Sequence, residues 1–111
     1  MNDDLRKALI EQARAGTTIA YGELARRLGL KPPQTIHRLA EALERLMEED
    51  AAACRPLLAA LCVGKARPGL PNPGFFAKAQ MLGMFCGDPA GSDALTFHHE
   101  QLRRAIAFYG A

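Results

Sequence analysis

Between Pro33 and Pro56, apolar residues fall at Ile36, Leu39, Ala40, Leu43, Leu46 and Met47. Gaps of three and four repeat the turn of an α-helix, so this stretch predicts a long amphipathic helix with one core-facing stripe. The Pro32–Pro33 pair suits its start, because a proline in the first turn loses no helical hydrogen bond. The helix is expected to run on through "EEDAAAC" until Pro56. A helix with one apolar face must lie against something, and the rest of the chain supplies the cover.

Upstream, a first helix should begin after Asn2 or Asp3, with Asp3 and Asp4 in the turn where the helix dipole favours acids. Leu5, Ala8, Leu9 and Ala13 form its apolar face, and Gly16 ends it. "TTIA" reads as a brief strand. A second helix turns Leu24, Ala25 and Leu28 inward and stops at Gly29.

Downstream, "PLLAALCVGK" is apolar on both faces and predicts a buried strand. "ARPGLPNPG" cannot be helix and reads as a rigid turn or the wing of a winged helix. "FFAKAQMLGMF" predicts a short helix with Phe75, Ala79 and Leu82 on one side. A last helix, capped by Ser92 or Asp93, should place Leu95, His99, Leu102, Ile106 and Tyr109 on one face. The expected fold is mostly α with a small β-sheet: one winged helix-turn-helix-like domain over residues 1–111 with an extra C-terminal helix. The helix-turn-helix lies at about 21–48, the strand and Pro/Gly loop at 57–74, and the closing helix at about 94–109.

Composition narrows the function classes. With 111 residues the chain can bury a core without metal or disulfide staples. Cys54, Cys62 and Cys86 are odd in number and lack C-x-x-C spacing, which argues for reduced thiols and against a structural zinc. The longest uncharged apolar run, Leu57 to Val63, is too short to span a bilayer, and "MNDDLRKALI" lacks the layout of a signal peptide. A cytoplasmic protein with no membrane partner is expected. A net charge of +2 and a pI near 8.6 permit a nucleic-acid partner without demanding one.

The segment "YGELARRLGLKPPQTIHRL" carries the functional expectation. A small residue, Ala25, lets two helices pack; Gly29, four residues later, makes the turn; Ile36 and Leu39 then face inward. "QTIHRL" stands where bacterial repressors often carry Gln-Thr-Val-Ser-Arg-Val, with a turn one residue longer. Side chains early in such a second helix protrude toward base edges or phosphates. Gln34, Thr35, His37 and Arg38 are therefore candidate groove contacts, with Tyr21, Lys31, Lys65 and Arg67 on backbone or flanking positions. Glu41, Glu44, Glu48, Glu49 and Asp50 make the rest of that helix acidic, a solvated face that phosphate would repel. Contact is expected from the first two turns only, end-on, with duplex DNA bound weakly. The alternative is a protein-interaction module using the acidic face or the apolar "GLPNPGFF" loop.

From Gly16 to about Leu82, roughly two-thirds of the chain, the sequence resembles the C-terminal domain of the alkylguanine-DNA alkyltransferases and their alkyltransferase-like relatives. "GTTIAYGELARRLG" follows that family's glycine, short strand and first helix, which puts Tyr21 at the tyrosine that helps rotate the target nucleotide. "PQTIHRLAEAL" resembles its recognition helix, with His37 at the intercalating arginine. "RPLLAALCVGKARPGLPNPGFFAKAQML" is similar to the strand, glycine turn and helix around its active site. The reactive Pro-Cys-His-Arg falls on "LAALCVG", so the cysteine position is Ala60 or Leu61, and Cys62 lacks the following His-Arg. The chain holds no Trp, the residue alkyltransferase-like proteins place there, and no counterpart of the family's asparagine hinge or glutamate relay. The resemblance implies the fold and DNA contact but no alkyl transfer, so a non-catalytic protein without cofactor is expected.

"HHE" at His98–Glu100 does not read as a metal site, because adjacent histidines on a helix point about 100° apart. His99, on the apolar stripe, is expected at the core or its edge.

Overall fold

The structure, a computed structural model, describes residues 2–64, 69–89 and 91–110. Its elements are α1 (Asn2–Ala15), β1 (Ile19–Ala20), α2 (Tyr21–Arg27), α3 (Thr35–Ala52), a 3-10 turn (Leu58–Leu61), β2 (Cys62–Val63), α4 (Pro73–Met81) and α5 (Ser92–Gly110). The chain is mostly helical with a small two-stranded sheet, in which β1 and β2 run parallel with Ile19 opposite Cys62 and Ala20 opposite Val63. Among the described residues no helix is long and apolar enough to cross a membrane.

The stripe of α3 forms the middle of the core: Leu39, Leu43, Leu46 and Met47 are buried against Leu5 and Leu9 of α1, Leu24 of α2, the 3-10 turn, and Phe75 and Phe76 of α4. Two expectations about this helix need correction. It starts at Thr35, two residues past the Pro pair, because Gln34 is left-handed (φ 60°, ψ 31°) and no right-handed helix runs through such a residue. Proline also disfavours helical geometry in the residue before it, here Pro32. Ile36, expected inward, is 42% exposed, since the first turn of α3 projects past the elements that cover Leu39.

The run Leu57 to Cys62 is buried as expected, yet it is not one strand. It winds as a 3-10 turn, closed by the Ala60 amide donating to the Leu57 carbonyl at 3.1 Å, before two residues of β2. Leucine and alanine favour helical geometry and only Val63 is β-branched, so burial is satisfied by a tight turn as well as by a strand. β2 pairs with β1 rather than with the proline loop, and residues 69–72 form no strand. The Gly64 amide donates to the Leu70 carbonyl at 2.8 Å and closes that loop's base.

α5 packs on α1 and the 3-10 turn with a face rotated from the expected one. Ala94, His98, Gln101 and Ala105 are buried and Leu102, Ile106 and Tyr109 pack half-buried on the core as expected, while Leu95 and His99 are exposed. The core histidine is therefore His98. Small residues let α5 approach closely, and the two polar ones are satisfied there. His98 Nε2 lies 2.8 Å from the Ala60 carbonyl, and Gln101 Oε1 accepts from the Leu57 amide at 3.1 Å. Burial lowers the His98 pKa and holds the ring neutral, so Nε2 carries the proton donated to Ala60.

Candidate nucleic-acid interface

α2 ends in a hydrogen-bonded glycine cap. Gly29, at φ +71°, donates to the Arg26 carbonyl, and Leu30 donates to Ala25, both at 3.1 Å. This pattern needs a left-handed residue just past the helix, which glycine adopts without a Cβ penalty. The chain then crosses Lys31, Pro32 and Pro33 to Gln34, whose carbonyl accepts the first bond of α3 from the Arg38 amide at 2.9 Å. Lys31, Gln34, His37 and Arg38 are exposed, and Thr35 is half-buried. The structure thus brings five of the eight sequence candidates to one end of one helix.

Their side chains are not equally free. Arg38 Nη1 donates to the Lys31 carbonyl at 3.5 Å, a loose contact that folds the guanidinium back over the turn. His37 Nε2 is 2.8 Å from Glu41 Oε1, one helical turn on. Gln34 does not cap α3 with its carboxamide. On α2, Arg26 and Arg27 both pair with Glu23.

Tyr21 is not a surface residue. It is 8% exposed, its hydroxyl accepts the Asn72 amide proton at 3.0 Å, and burial pushes its pKa up to about 12. It ties the start of α2 to the proline loop instead of presenting a hydroxyl outward. A cavity of about 280 Å³ opens beside it, lined by Tyr21, Gly22, Ile36, Val63, Gly64 and Asn72. A Cβ on Gly64 would meet Asn72 Oδ1, so a side chain there would require the Asn72 carboxamide to turn away. Lys65 and Arg67, the remaining candidates, lie outside the described residues.

In the acidic half of α3, Glu41, Glu48 and Glu49 are exposed as expected, and Asp50 needs correction. Asp50 was expected on a solvated face but is 0% exposed. Its Oδ1 accepts from Arg6 at 2.8 Å and Arg55 at 3.3 Å, and its Oδ2 accepts the Leu58 amide at 3.2 Å. Burial opposes the charge on Arg6, yet hydrogen bonds to Asp50 and Glu49 outweigh it and raise the guanidinium pKa. Glu49 pairs with Arg6 at 2.9 Å and Glu48 with Lys78 at 3.1 Å. A sequence signal for Asp50 existed: it stands three residues after Met47 and four after Leu46, on the apolar stripe itself.

The positions that resemble an alkyltransferase active site are equally enclosed. Ala60, Leu61 and Cys62 are fully buried, and desolvation pushes the Cys62 thiol well above its ordinary pKa. A nucleophilic thiolate is disfavoured in such surroundings. Comparison with family models, with curated proteins and with solved structures gives no match to this chain.

Proposed function

We propose that this chain is a non-catalytic DNA-binding or DNA-structure-sensing module, winged-helix-like in its helices, that meets duplex DNA with the N-terminal turns of α3. The observation that carries this reading is the grouping of Lys31, Gln34, Thr35, His37 and Arg38 at the exposed end of a helix whose far end is acidic. The helix N-terminus with Lys31 and Arg38 attracts phosphate, which favours an end-on approach. Tyr21 serves this interface by fixing α2 against the proline loop. Lys65 and Arg67 stay candidates from the sequence alone.

The rival reading, a protein-interaction module, draws less support. Phe75 and Phe76 of the apolar loop segment are buried in the core, and Glu48, Glu49 and Asp50 are held by cations of the same chain. The buried Cys62 and the absence of a His-Arg pair after it support a role without alkyl transfer.

A duplex titration across salt concentrations tests the proposal. If about four phosphates are neutralised, log affinity should fall against log salt with a slope of about −3.6. Arg38→Ala should make that slope shallower by about one unit if the guanidinium meets phosphate. With a net charge of only +2, binding should be weak at physiological salt. Absence of binding to any duplex at low salt would overturn the reading.

A further inference from the structure

We draw no further inference here: the strongest candidate, the cavity of about 280 Å³ lined by Tyr21, Ile36, Gly64 and Asn72, belongs to the interface already described, and nothing in the structure shows what fills it.

Discussion

The two ends of α3 depart from the simple partition of polar and apolar residues in opposite directions. At the C-terminal end an aspartate is enclosed, held by Arg6, Arg55 and the Leu58 amide, and joins α1, α3 and the 3-10 turn. At the N-terminal end an isoleucine is left in solvent, beside a glutamine that does not cap the helix. A polar group inside and an apolar group outside both run against simple partition, and each needs a reason. Asp50 has one within the fold: two guanidinium groups meet its Oδ1 and a backbone amide its Oδ2. Ile36 is partly covered and lines the cavity beside Tyr21, and Gln34 stands in solvent, so neither ties elements together as Asp50 does.

The sharpest way to break this comparison is Asp50→Ala. It would leave two guanidinium groups and a buried amide without their acceptor, and a loss of about 3–5 kcal/mol is expected from denaturant melts. A loss below about 1 kcal/mol would mean that Asp50 does not organise its end of the helix. Next in size is the contrast between Leu39 and Ile36, one turn apart on one stripe. Leu39→Ala should cost about 2–5 kcal/mol as a core truncation. Ile36→Ala should stay within about 0.5 kcal/mol, as surface changes do. Equal costs would move the core boundary past Ile36.

His98 extends the comparison to pH. Its folded pKa lies below the unfolded value of about 6.5, so above that pH both states are neutral and its contribution to stability is complete. As pH falls below about 6.5 the unfolded chain takes the proton first. Stability then declines by no more than about 1.4 kcal/mol per pH unit, until the folded ring is protonated as well. His98→Gln should flatten that part of the stability–pH curve; an unchanged curve would show that the ring is not held neutral. A modest effect is expected at Tyr21. Tyr21→Phe deletes the acceptor of the Asn72 amide and should cost about 1 kcal/mol. A larger loss in DNA affinity than in stability would return the hydroxyl to the interface.

Local pattern made much of this molecule legible. The period of Leu39, Leu43, Leu46 and Met47 located the central helix, Gly16 and Gly29 marked the ends of α1 and α2, and the polar cluster before Leu39 marked a surface end. These features follow from backbone geometry and side-chain spacing within a few residues, so the chain carries them before it folds. Other features depend on partners distant in sequence. Periodicity gives the direction in which Ile36 points but not whether a neighbour is there to cover it. It puts Asp50 on the buried stripe, but only Arg6, 44 residues away, and the Leu58 amide make that position tolerable for a charge. It placed Leu102, Ile106 and Tyr109 of α5 on the core side, but the close approach of α5 to α1 and the 3-10 turn put Ala94, His98, Gln101 and Ala105 innermost and left Leu95 and His99 outside. Spacing sets the faces of each helix; the distance between helices, and the hydrogen bonds available at that distance, decided which face was buried.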